Sequence, residues 1–113
     1  MREIVAVIHP HMVSQVVRAL HALEHFPGFT LVECRGQGHG RGEGEAYQVT
    51  EEAIDYNRKV MLLLVCAEPL VPTIVETIQR AAHTGTRGDG IILVRPLAQT
   101  IRIRTGEQNE AAV

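Results

Sequence analysis

An α+β fold, with its elements in the order β-α-β-β-α-β, is predicted by three features of the sequence. Four short apolar runs rich in β-branched residues, Arg2 to Ile8, Phe29 to Arg35, Val60 to Ala67 and Ile91 to Arg95, read as strands. Two longer stretches place apolar residues at helical spacing, one between the first and second runs and one between the third and fourth. The second and third runs are joined without a helical pattern, through a long polar segment from Gly36 to Asn57.

Each element has a local cause. The first strand closes at His9-Pro10-His11, a turn sequence. From Met12, the residues Val13, Val16, Val17, Leu20 and Leu23 form one helix face, with Arg18, His21 and Glu24 opposite, and this helix should end before Pro27-Gly28. Phe29, Leu31 and Glu33 then alternate with Thr30, Val32 and Cys34. The unbroken apolar run through Met61 to Val65 has the pattern of a strand covered on both faces. Pro69 suits the first turn of a second helix carried by Val71, Ile74, Val75, Ile78, Ala81 and Ala82, and Gly85 should cap it. Pro72 lies close enough to its start that few hydrogen bonds are lost. Gln99 to Arg104 reads as a fifth extended piece. The order is that of a ferredoxin-like split β-α-β sandwich, an antiparallel sheet with two helices on one face. Covering the third strand on its other face calls for a second copy, so an oligomer is expected, most simply a closed ring.

The chain has 113 residues, a length that suits one domain over residues 1–113. Its formal net charge is -2, and it has no Lys/Arg run, which gives nucleic acid nothing to bind. No apolar run reaches membrane-span length, so direct membrane insertion is not expected. Cys34 and Cys66 are too few for a disulfide framework and fit a reduced, cytoplasmic setting.

The chemistry concentrates in the last third. Thr84-Gly85-Thr86-Arg87-Gly88-Asp89-Gly90 leaves backbone N–H groups unshielded, as a loop that wraps an anion requires. Arg102 and Arg104, two apart on an extended segment, would share a face and suit a polyphosphate. Singly, these are also what a turn and a charged strand look like; together they make nucleotide binding the leading expectation. Glycine recurs at alternate positions from Gly36 to Gly44, which makes the segment from Gly38 to Asn57 costly to order and a natural output element. Acidic residues follow those glycines where a dinucleotide fingerprint needs an apolar helix. His9 and His11, with Cys66 and His39, are weak candidates for a metal. No Ser/His/Asp arrangement appears, both cysteines lie in strand-like runs, and an enzyme is not expected.

The chain resembles the PII family of nitrogen-regulatory signalling proteins over nearly its whole length, with a one-residue insertion around His25 to Pro27. The resemblance rests on Pro10, the Gly36-x-Gly38 pair, Tyr47, Asp55 and Lys59. More specific are Ala81-Ala82-His83-Thr84-Gly85 with Gly88-Asp89-Gly90, and Ile101-Arg102-Ile103-Arg104-Thr105-Gly106. It implies a trimer that binds ATP or ADP between subunits and signals through a protruding T-loop, between strands two and three, to a partner such as a membrane transporter or an enzyme or regulator of nitrogen metabolism. Residue by residue, it implies that Thr84, Gly85, Arg87, Gly88, Asp89 and Gly90 hold the phosphate side, with Arg102 and Arg104 on the phosphates. Gly36, Gln37, Gly38 and His39 would close the site, and Val7, Val65, Gly28 and Thr30 would surround the adenine, with Leu63 close by.

The departures from the family are equally specific. A glutamine that helps hold Mg²⁺ and 2-oxoglutarate is replaced by Gly40, although Lys59 is retained. The uridylylated tyrosine of many members falls at Glu52, and Tyr47 corresponds to a different loop tyrosine. Lysines of the phosphate loop are replaced by Thr86 and Ile91, and the arginine before it by His83. Each lost charge-assisted hydrogen bond is worth roughly 1.5–3 kcal/mol, which leaves Arg87 and Arg41 as the compensating charges. The alternative is a trimer similar to PII, or to the CutA metal-tolerance family, that senses a metal or another small anion.

Overall fold

In a computed structural model that describes residues 1–37 and 57–113, the chain enters strand β1, Arg2–Ile8, directly. Pro10 cannot continue a ladder and starts a 3₁₀ turn, Pro10–Met12, that leads into helix α1, Val13–His21. Strand β2 is Thr30–Arg35 and strand β3 is Arg58–Cys66. A second 3₁₀ turn, Glu68–Leu70, holds Pro69 and feeds helix α2, Val71–Ala82, where Pro72 occupies the first turn. Strand β4 is Gly90–Pro96, and a last 3₁₀ turn covers Asn109–Ala112. Among the described residues no helix is long and apolar enough to cross a membrane.

The four strands form one antiparallel sheet in the order β2-β3-β1-β4. β1 is central, so its alternation decides what each face buries. Ile4, Ala6 and Ile8 point to the helices and stand beside Leu64, Leu62 and Val60 of β3. Val16 and Leu20 of α1 and Ile74, Ile78 and Ala82 of α2 close over them. This is the ferredoxin-like sandwich that the element order predicts. The other face carries Val5 and Val7 of β1, Met61, Leu63 and Val65 of β3, Val32 of β2, and Ile91 and Leu93 of β4. Among the described residues much of it is left open: Val32 is 45%, Ile91 56% and Leu93 50% exposed. The both-faces burial expected for Met61 to Val65 is therefore not completed by the described residues.

Helix α1 ends before Pro27, as expected, but already at His21, so Leu23 and Glu24 lie beyond it: Leu23 N–H turns back to the Leu20 carbonyl at 3.1 Å, which tightens the last turn. His21, Phe26 and Phe29 then pack as a ring cluster, with His21 and Phe26 stacked at 4.2 Å between centroids. Two further expectations are corrected. Helix α2 ends at Ala82, so Gly85 is no cap; its φ of +84° serves the loop beyond. Gln99 to Arg104 is not a strand. Ile101 bridges Gln108, Arg102 N–H donates to the Glu107 carbonyl at 2.8 Å, and Gly106 N–H returns to the Arg102 carbonyl at 2.8 Å. Arg102 and Arg104 therefore sit in a tight hairpin that Gly106, at φ +75°, allows to turn.

Gly90 opens β4 opposite Ile8 with φ +113°, and a Cβ there would lie 1.7 Å from the Val7 carbonyl oxygen. Only glycine lets the chain leave the preceding loop and join β1 at this point. Gly90→Ala should therefore destabilise the fold by about 3 kcal/mol or more. Urea unfolding checks this, and an unchanged midpoint would contradict it.

Candidate functional site

The register of the sheet divides the sequence-predicted site residues between its two ends. Ile8 stands opposite Val60 and Gly90, so the loop before β4 meets the turn after β1 and the start of β3. Val7, Lys59 and the residues from Thr84 to Gly90 gather there. Gly36 and Gln37 leave β2 at the same end, where Gly36 N–H donates to the Asn57 carbonyl at 3.0 Å. Gly38, His39, Gly40, Arg41, Tyr47 and Glu52 lie outside the described residues.

Asp89 organises this end. Its Oδ2 accepts from the amides of Thr84, at 2.9 Å, and Gly85, at 3.0 Å, while its Oδ1 accepts from the Thr84 hydroxyl. Thr84 Oγ1 also lies 2.7 Å from Thr86 Oγ1. The amides of Thr84 and Gly85 are thus taken up by an internal carboxylate. Gly88, at φ +85°, carries the chain on to Gly90, and Arg87 is exposed within the loop. Three cationic or titratable groups surround the carboxylate. His83 Nδ1 lies 3.6 Å from Oδ2 and His9 Nε2 3.5 Å from Oδ1. Lys59 Nζ lies 3.3 Å from His9 Nδ1 and donates to the Gly88 carbonyl. The hydrogen bonds from Thr84 hold the Asp89 carboxyl down at about 2, with further help from Gly85 and His83. Burial lowers the His9 pKa first, Lys59 and His11 lower it further, and Asp89 opposes them. Burial likewise lowers that of Lys59, against the pull of Asp89.

The remaining residues belong elsewhere. Val65 stands opposite Glu3, whereas Val7 stands opposite Met61. The two valines expected around one adenine are four residues apart along the open face, roughly 13 Å. Thr30 lies opposite Leu63, between them, and Gly28, at φ +73°, precedes it on the Val65 side. β4 runs from the loop at Gly90 to Pro96 opposite Arg2, roughly 20 Å away. There Leu97 N–H donates to the Met1 carbonyl at 3.1 Å, and the hairpin holding Arg102 and Arg104 is rooted by Asn109 N–H on the Thr100 carbonyl at 2.7 Å. A hollow of about 450 Å³ at this end is lined by Phe26, Pro27, Val65 and the C-terminal Glu110 and Val113. The sequence-predicted site residues thus fall into two groups at opposite ends of the sheet.

Of the weak metal candidates, His39 lies outside the described residues, and His9 and Cys66 do not come together. His9 and Cys66 are separated by the length of β1, since Cys66 pairs with Arg2 and is buried in the core. His9 and His11 stack on each other at 5.1 Å between centroids. Among the described residues no group of His, Cys, Asp and Glu side chains is placed to hold a metal ion. The His9–Lys59–Asp89 contact was not readable from the sequence, because it depends on a strand register.

Comparison with known proteins identifies the family. The family model "Nitrogen regulatory protein P-II" matches residues 1–107. This chain belongs to the P-II family. It is 40% identical over 113 residues to the nitrogen regulatory protein P-II of Azospirillum brasilense and 41% identical over 113 residues to P-II 1 of Escherichia coli, with 100% of each chain covered. Rhodospirillum rubrum has a further relative at 40% identity over 113 residues. P-II proteins are nitrogen-regulatory signal-transduction proteins rather than enzymes, which matches the absence of a catalytic constellation in the sequence.

Because its folded pKa lies below the ordinary 3.8, Asp89 adds stability that is complete above about pH 4 and is lost as pH falls toward 2. The Thr84 and Gly85 amide resonances should move together with a midpoint near 2, and Asp89→Asn should remove that transition. Amides that titrate near 4 would place Asp89 outside the network.

Proposed function

We propose that the chain, as one P-II domain, is a cytoplasmic homotrimeric sensor that binds ATP or ADP between copies and regulates a partner protein. The observation that carries this reading is the division of the site. One end of the sheet presents Val7, Gly36, Gln37 and the loop from Thr84 to Gly90. The other end presents Gly28, Val65, Arg102 and Arg104. A nucleotide needs both a phosphate cradle and the arginines, and neighbouring copies supply them to each other. The uncovered apolar face gives the copies a reason to associate. Val32, Met61, Leu63, Ile91 and Leu93 would be removed from water by two more chains packed face to face.

Gly38 to Asn57 would form the output element that reaches the partner, a transporter or an enzyme or regulator of nitrogen metabolism. Because a ligand biases an output element only through its difference in affinity for two states, ATP and ADP must contact the loop base at Gly36 and Gln37 differently. Gly40 supplies no side-chain ligand for Mg²⁺, so metal-free nucleotide is the starting ligand.

Arg102→Ala should weaken ATP binding roughly ten- to a hundredfold, the range for loss of one charge-assisted phosphate contact. The mass in solution should not change. Titration calorimetry with light scattering checks both, and unchanged affinity would mean that the hairpin lies outside the site.

A further inference from the structure

The phosphate loop has lost lysines at Thr86 and Ile91, yet cationic chemistry lies directly beneath it. A Cβ at Gly88 would sit 3.5 Å from Lys59 Nζ and 3.5 Å from His9 Cε1. The His9 side chain is only 19% exposed and that of Asp89 24%. Among the described residues, charged and titratable groups face His9 from three elements. Lys59 comes from β3, His11 stacks on the ring from the 3₁₀ turn, and Asp89 faces it from the loop, with His83 on the far oxygen of that carboxylate.

The partners fix the tautomer of His9. An ammonium can only donate, so Nδ1 accepts from Lys59 and Nε2 carries the proton toward Asp89. In this state His9 is neutral and holds Lys59 under the loop. A proton on Nδ1 ends that role. It adds one positive charge beneath Gly88 and removes one of the two acceptors of Lys59, so that the ammonium, still on the Gly88 carbonyl, has a donor to offer an anion.

We propose that His9 is an additional phosphate-side residue of the nucleotide site, taking up one proton as the polyphosphate enters the loop. This rests on the nucleotide reading above. The negative charge of the ligand favours the imidazolium, and the imidazolium with the freed donor of Lys59 replaces the charge missing at Thr86 and Ile91. The ordinary lowering of the His9 pKa by burial and by Lys59 is consistent with a group neutral until the ligand arrives. Uptake of a proton makes nucleotide affinity rise as pH falls, by up to tenfold per pH unit.

The test is titration calorimetry of the full chain with ADP and with ATP, both without Mg²⁺, between about pH 8 and about pH 6. Buffers of different ionisation enthalpy report protons taken up on binding. Wild type is compared with His9→Gln, which keeps a polar side chain at a largely buried position; titration of the ligand's own phosphate is common to both proteins and cancels. Wild type should take up one more proton than His9→Gln, and its affinity advantage should grow several-fold toward acid pH. Equal proton uptake and parallel pH profiles in two proteins that both bind would overturn the proposal and leave the nucleotide reading standing. No binding by wild type at any pH would overturn the nucleotide reading and this proposal with it. A second measurement follows the His9 imidazole by NMR in wild type. Its pKa should rise when nucleotide is added, and an unmoved titration would also overturn the proposal.

Discussion

The central position of β1, hydrogen-bonded to β3 on one side and β4 on the other, is the constraint on which the rest of the molecule depends. It fixes Ile8 opposite Val60 and Gly90, and Arg2 opposite Cys66 and Pro96. One pairing delivers the glycine loop to the turn at His9 and the start of β3; the other delivers the C-terminal hairpin to the far end. Burial beneath the helices makes this register hard to alter. A one-residue slip would turn Ile4, Ala6 and Ile8 out of the core. The separation of the two groups of residues is therefore a property of the sheet, and on the proposed function a complete site would be a property of the assembly.

Electrostatics at the loop follow from the same placement. Asp89 occupies amides that an incoming anion could otherwise use, and it is kept ionised by Thr84 and Gly85. Beside this internal carboxylate, Lys59 supplies a cation from β3 and His9 a titratable ring from the turn after β1, two elements that only the register brings together. Neither stands in the glycine loop itself.

Much of this was legible in the sequence, for identifiable reasons. Helical spacing at Val16, Leu20, Ile74 and Ile78 located both helices, since each of those residues is fully buried against one sheet face. Alternation marked the strands. What failed to show was what depends on contacts distant in sequence. Arg102 and Arg104 looked like neighbours on an extended piece, but the hairpin closed by Gly106 decides their geometry. The unbroken apolar run at Met61 to Val65 looked covered on both faces, yet one face of it is only partly covered by the described residues. Val7 and Val65 both read as adenine-packing residues, and only the ladder reveals that they lie at different ends.

The most direct test of a site assembled between copies is complementation by mixing. Asp89→Ala disables the loop end and Arg102→Ala the hairpin end, and each variant alone should bind ATP poorly. The two are then unfolded together, refolded as a mixture and titrated with ATP. Mixed assemblies pair an intact loop from one chain with an intact hairpin from another, so high-affinity sites should reappear that neither variant shows alone. If the mixture binds no better than its components, the loop and the arginines do not serve one ligand across copies, and the two-ended account of the site is wrong.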